Sequence, residues 1–245
     1  MSNRVFDYRQ LCKSQEIAVQ IPEGTVVDVA EVDILVDMLL KSIRLFNKIE
    51  RLRQSSIAEL NFAQTANGQI RVNYTNDTAS LANLAFQELE SPSGLNTTIK
   101  QLSKRNLSSG FTVTRMLASN AVNILYTQIR SIMTFIITKN NQYEKFGSEK
   151  GYLPYLNAEN CVSILEKAVH MQNHIYDLIY VLGNVAITSL SGVYGQNTPV
   201  ELQNRLKQYE IYEGEGQNAI NVMLKSFDPS VRFVVSEGED IIFNF

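Results

Sequence analysis

Ionisable side chains are scarce in this chain: Asp, Glu, Lys and Arg make up 19% of its 245 residues, where a quarter is usual. Tryptophan is missing and asparagine is abundant, so much of the polar surface has to be neutral amide and hydroxyl. A surface of that kind suits cover by neighbouring protein. The net charge of −3 and an isoelectric point near 5.5 supply no general attraction to nucleic acid or to an anionic membrane. Any basic footprint must therefore be local. Only two cysteines occur, Cys12 and Cys161, far apart in sequence, and no apolar signal-peptide core follows Met1. A secreted disulfide scaffold is thus not expected, and both thiols read as reduced.

Clean membrane spans are missing as well. Arg130 interrupts the apolar run 124–138, and Asn184, Ser189 and Ser191 dilute the run 178–194, so both read as buried helix. The expected setting is a virion or the cytoplasm, with no membrane partner. Catalytic signatures are lacking too: there is no Gly-x-x-x-x-Gly-Lys phosphate loop, no Gly-x-Ser-x-Gly elbow, no Gly-x-Gly-x-x-Gly after a strand and no clustered Cys/His set. A Ser-His or Cys-His pair would need a nucleophile from a distant segment such as Cys12, because Cys161 lies nine residues from His170, more than two helical turns. The expectation is a non-enzymatic protein without a cofactor. Neither an internal repeat nor a linker rich in Pro, Gly or Ser divides the chain, so residues 1–245 read as a single domain.

What is present is helical periodicity, strongest over residues 112–190. Val113, Leu117, Ala121, Leu125, Ile129, Ile132 and Ile136 recur at steps of three and four, which places them on one helical face. Gly147 closes that helix. A second opens at Asn157, a residue type that caps helix starts, and carries Val162, Leu165, Val169, Tyr176, Ile179 and Leu182 along one side. The short loop between them predicts antiparallel packing. A third long helix starts at Asp28 and Glu31, a capping-box spacing, and runs with Val32, Leu35, Leu39, Ile43, Phe46, Ile49 and Leu52 to about Ser56 or beyond.

Smaller elements surround these three. Residues 16–21 and 25–29 flank Pro22-Glu23-Gly24 and predict a hairpin, Asn67-Gly68 with residues 69–74 a second or a projecting loop. Helices are expected over 78–90, 97–105, 198–212 and 217–227, the third marked by Thr198, Pro199 and Glu201 as N-cap, N1 proline and capping-box acid. Residues 231–235 and 241–245 flank an acidic turn and predict a C-terminal β-hairpin. The fold class is therefore mainly α: a helical bundle built on a long antiparallel helical hairpin, with small peripheral β-hairpins near the N- and C-termini.

Three groups of residues are candidates for function. Lys41, Arg44, Lys48 and Arg51, with Arg53 nearby, form a basic stripe that could follow a phosphate backbone, or serve as the solvated face of an amphipathic helix. Glu210, Glu213, Glu215, Glu237, Glu239 and Asp240 are its acidic counterpart, a pairing able to set head-to-tail register between identical subunits. Glu166, His170, His174 and Asp177 share one helix face within metal-ligand reach, but Met171 stands where a zincin has its general-base Glu, and no third ligand is identifiable. A polar stripe is the simpler reading of that face. The apolar C-terminal residues Ile241, Ile242, Phe243 and Phe245 need a partner, from this chain or from another subunit.

Together these features point to a structural subunit of a larger assembly, homo-oligomeric and in contact with other assembly proteins. The architecture resembles that of virion proteins such as the head-to-tail connector or neck adaptors of tailed phages. That resemblance implies that the helical hairpin gives rigidity, that terminal hairpins and the Asn67-Gly68 loop join subunits by strand addition, and that the basic stripe faces packaged DNA. One alternative is a helical nucleic-acid-binding protein using Lys41, Arg44, Lys48 and Arg51. The other is a metal-dependent enzyme built on His170 and His174.

Overall fold

The computed structural model describes residues 19–65, 74–146, 158–198, 200–202, 204–205, 232–234 and 242–244. This part of the chain is mainly α. Its first long helix begins as the spacing of Asp28 and Glu31 predicts. The Glu31 carboxylate accepts the Asp28 backbone N–H (3.1 Å), and a short 3-10 turn, Val29–Glu31, leads into α1 (Val32–Thr65). Four more helices follow among the described residues: α2 (Tyr74–Glu90), α3 (Leu95–Leu102), α4 (Ser109–Phe146) and α5 (Ala158–Tyr194).

The apolar series of α1 from Val32 to Leu52 is buried throughout, and Met38, Leu40 and Leu45 beside it are buried too. A stripe that wide needs more than one neighbour. The main one is α5, whose contact with α1 is more extensive than its contact with α4. Helix α1 therefore belongs to the centre of the bundle and is not an addition to an α4–α5 unit. The two run antiparallel, since Val27 meets Ser189, Phe46 meets Tyr176 and Glu50 meets Gln172. Helix α5 is buried on more than one side, through Leu165, Ala168, Met171, Ile175, Leu178, Ile179, Leu182, Val185 and Ala186. Residues Val162–Asn197, with a mean hydropathy of 1.4, are long and apolar enough to cross a membrane by length and composition; here much of that apolar surface lies against α1 and α4. On α4 the buried positions among those described are Phe111, Thr114, Ala118, Ala121, Val122, Leu125, Ile129 and Ile132. Val113 and Leu117 are only half-buried, so the first turns are rotated relative to the face expected from sequence.

The turn at Pro22-Glu23-Gly24 forms: the Thr25 N–H (3.2 Å) and hydroxyl (2.7 Å) both donate to the Pro22 carbonyl, and Gly24 takes a left-handed φ of 76°. No strand forms in residues 19–28, however. The Val27 N–H donates to the Ser189 hydroxyl (2.9 Å). Val26 lies so close to the start of α4 that a Cβ on Gly110 would fall 1.7 Å from its carbonyl oxygen. This segment is tied to two helices, and the backbone donor that a ladder would have used at Val27 is already satisfied.

Helix α2 begins at Tyr74, four residues before the expected start, and α3 at Leu95, two before. Between them Ser91-Pro92-Ser93-Gly94 makes the expected stop, and a Cβ on Gly94 would lie 2.5 Å from the Leu89 carbonyl. Thr198 differs from its expected role. It has helical dihedrals (φ −51°, ψ −45°) and its hydroxyl donates to the Gly195 carbonyl (2.7 Å), while Glu201 accepts from Arg205 (2.8 Å). Chain direction changes instead at Gly195 (φ 51°) in the 3-10 turn Gly195–Asn197. Close to the C-terminus, strands β1 (Arg232–Val234) and β2 (Ile242–Asn244) pair antiparallel, with Phe233 opposite Phe243. The turn expected between them, Ile241, Phe245, residues 16–18, Asn67-Gly68, Gly147, Asn157, Pro199 and the helix expected over 217–227 lie outside the described residues.

Candidate functional site

Where α1 passes α5, the rings of Phe46 and Tyr176 meet with centroids 5.0 Å apart, and one turn further along charge enters the interface. The Arg53 side chain has no exposed surface. Its Nε donates to Glu50 Oε2 at 2.7 Å and its Nη2 to Glu50 Oε1 at 2.5 Å, a planar fork on both carboxylate oxygens. Gln54 donates to Glu50 Oε1 (3.1 Å) and Gln172, from α5, to Glu50 Oε2 (2.5 Å). Burial, then the Glu50 carboxylate, push the Tyr176 phenol far above its ordinary range, with Arg53 opposing. Tyr176 is therefore neutral at physiological pH. Both carboxylate oxygens of Glu50 already accept hydrogen bonds, from Arg53, Gln54 and Gln172. Across the interface the cluster links α5 to α1 through the hydrogen bond that Gln172 donates to Glu50.

Sequence reading missed this cluster, although a signal existed. Arg53 directly follows Leu52, the last of the apolar series, and lies one turn after Ile49, and Glu50 precedes it by the three residues that a helical ion pair needs.

The basic stripe lies along α1 where α2 and α3 pack. Lys41 Nζ is 2.6 Å from Asp37 Oδ2 and donates to Thr98 Oγ1 at 3.0 Å, and Lys48 forms an ion pair with Glu88 of α2. Arg44 is half-buried and Arg51 exposed, and both have partners of their own. The stripe thus contributes to holding α2 and α3 on α1, and phosphate would have to compete for Lys41 and Lys48 with carboxylates already in place.

A second carboxylate joins two helix starts. Besides the Asp28 N–H, Glu31 accepts the Ser108 N–H (2.9 Å) and the Ser108 hydroxyl, while that hydroxyl accepts the Phe111 N–H in the first turn of α4 (3.2 Å). Burial alone would raise the Glu31 pKa. The hydrogen bonds from Ser108 and Asp28 outweigh it and hold the group below the ordinary carboxylate value.

His170 and His174 are together on α5, their Nε2 atoms 3.3 Å apart and their rings edge to face at 4.6 Å. His170 is exposed and His174 half-buried. Burial, then the charge of His170, hold His174 below the ordinary imidazole value, with Asp177 pulling the other way. Glu166 is exposed one turn earlier. Among the described residues no group of three or more His, Cys, Asp or Glu side chains is placed to enclose a metal. Cys12 lies outside the described residues.

Large apolar side chains stay exposed at one end of the bundle. Val26, Met116, Val193 (64% exposed) and Val200 come from segments linked by the Gly110–Val26 approach, the Val27–Ser189 hydrogen bond and the Arg205–Asp33 ion pair. Leu84 on α2 is also exposed. The chain matches no known family model, no curated protein and no solved structure.

Proposed function

We propose that this chain is a non-enzymatic structural subunit of a larger assembly, a homo-oligomer of the kind built into virions, such as a tailed-phage head-to-tail connector or neck adaptor. The observation that carries the reading is the bundle end where Val26, Met116, Val193 and Val200 remain exposed. Apolar side chains left in water on one end of a molecule mark protein contact. The disposition of charge agrees with it: Lys41, Lys48, Arg53 and Arg205 all have carboxylate partners within the chain. In this reading α4 and α5 form an antiparallel hairpin that stiffens the subunit. The C-terminal hairpin over 231–245, with Ile241, Ile242, Phe243 and Phe245, adds strands to a neighbour.

Sedimentation velocity and negative-stain imaging of the purified chain test this. A closed ring of copies is the expected result, and a monodisperse monomer at micromolar concentration overturns the proposal. Binding of duplex DNA that weakens steeply with salt would instead favour the basic stripe as the working surface.

A further inference from the structure

We infer that His170 and His174 form an open two-histidine chelate for a borderline divalent cation such as zinc. With Zn–N distances of about 2.05 Å and a tetrahedral angle, two imidazole nitrogens that share the ion lie about 3.3 Å apart. The two Nε2 atoms are 3.3 Å apart. At this distance one ring N–H can donate to the other, so an ion that bound here would replace that contact between the rings. A square-planar ion such as Cu²⁺ would need the nitrogens drawn in to about 2.9 Å, though its intrinsic affinity for imidazole is higher.

The backbone keeps this geometry. Both residues project from one face of α5 at a four-residue spacing, and Met171, Gln172, Ile175 and Tyr176 between and beside them are buried. The helix is thus anchored on its other side, and the chelate is carried by a rigid element. Exposure of His170 gives the ion a route in, and the remaining coordination positions are open to water or to a donor from a neighbouring molecule. Asp177 is close enough for its negative charge to act on His174, which also favours a cation there. Hard cations such as Mg²⁺ and Ca²⁺ prefer all-oxygen sites and are not expected to compete. No catalytic step is assigned to the ion, and the inference is independent of the proposed assembly.

Isothermal titration of the full chain with zinc chloride in the presence of excess magnesium is the test, with circular dichroism to confirm that each variant is folded. The wild type is expected to bind one zinc per chain. His170→Asn and His174→Asn should each weaken binding by at least about tenfold, since even outer-shell partners of a metal are worth that much. Failure of the wild type to bind zinc overturns the inference. So does a His170→Asn/His174→Asn double variant that binds as the wild type does, because the ion would then sit elsewhere.

Discussion

Arg53 occupies a position where the apolar series of α1 would place a hydrocarbon, and its guanidinium is held there by the Glu50 carboxylate. Removing one partner of a buried pair costs far more than removing both, because the survivor keeps its desolvation penalty. Glu50→Ala should therefore lower stability by about 3–5 kcal/mol, read from the midpoint of urea denaturation. Replacing both Glu50 and Arg53 by Met should leave the chain within about 1 kcal/mol of the wild type, or above it. A double variant as unstable as the single one would show that the cluster is worth more than its charges. Glu31 differs because its stabilisation depends on pH. Its folded pKa is held below the ordinary 4.5, so between those two values the unfolded chain binds more protons than the native one, and stability falls as pH falls. The contribution is complete above pH 4.5 and lost on going down through the folded pKa. Glu31→Gln should be less stable than the wild type at pH 7 and should flatten this part of the acid limb in denaturation midpoints measured from pH 7 downward.

Among the elements, the start of α4 is where local preference and tertiary contact conflict most openly. Alanine in place of a helical glycine ordinarily gains about 1 kcal/mol, but a Cβ at Gly110 would meet the Val26 carbonyl at 1.7 Å. The collision outweighs the gain, since backbone must move. Gly110→Ala is expected to destabilise by roughly 1–3 kcal/mol and to raise amide exchange at Val27, whose bond to Ser189 depends on the same placement. A stabilised variant would mean that the segment 25–28 is free to shift. This conflict also explains how much of the fold was legible in the sequence. The helical character of α1, α4 and α5 and the start at Asp28 and Glu31 follow from periodicity and capping chemistry within a few residues of each other. The absence of a ladder in residues 19–28 does not, because the donor at Val27 is satisfied by a residue 162 positions away. The same holds for the site: His170 and His174 are legible as an i, i+4 pair, whereas Gln172 completes the Glu50 cluster from another helix. Thr198 shows the limit from the other side, since a good local capping pattern yields where the chain stays helical and its hydroxyl turns back to Gly195.

At the largest scale, the described residues carry exposed apolar side chains near the start of α4 and the end of α5. Helix α5 has 37 residues and so spans about 55 Å at the helical rise, while Val26, Met116, Val193 and Val200 are exposed where it ends and α4 begins. In the proposed assembly, an interface at that end would leave the length of α5 free for contact with other components, an arrangement suited to a ring or a sleeve of copies. Charge placed at such an interface acts very differently from charge on an open surface. Surface substitutions usually change stability by no more than about 0.5 kcal/mol, whereas an unpaired charge buried at a protein contact costs several times that. Val193→Lys combined with Val200→Lys should therefore leave the thermal midpoint of the isolated subunit nearly unchanged and shift sedimentation from assembled species towards the monomer. The substitution Phe243→Asp tests the C-terminal strands in the same assay. If only that variant dissociates the particle, the contact belongs to β1 and β2; if the Lys pair alone does so, it belongs to the bundle end.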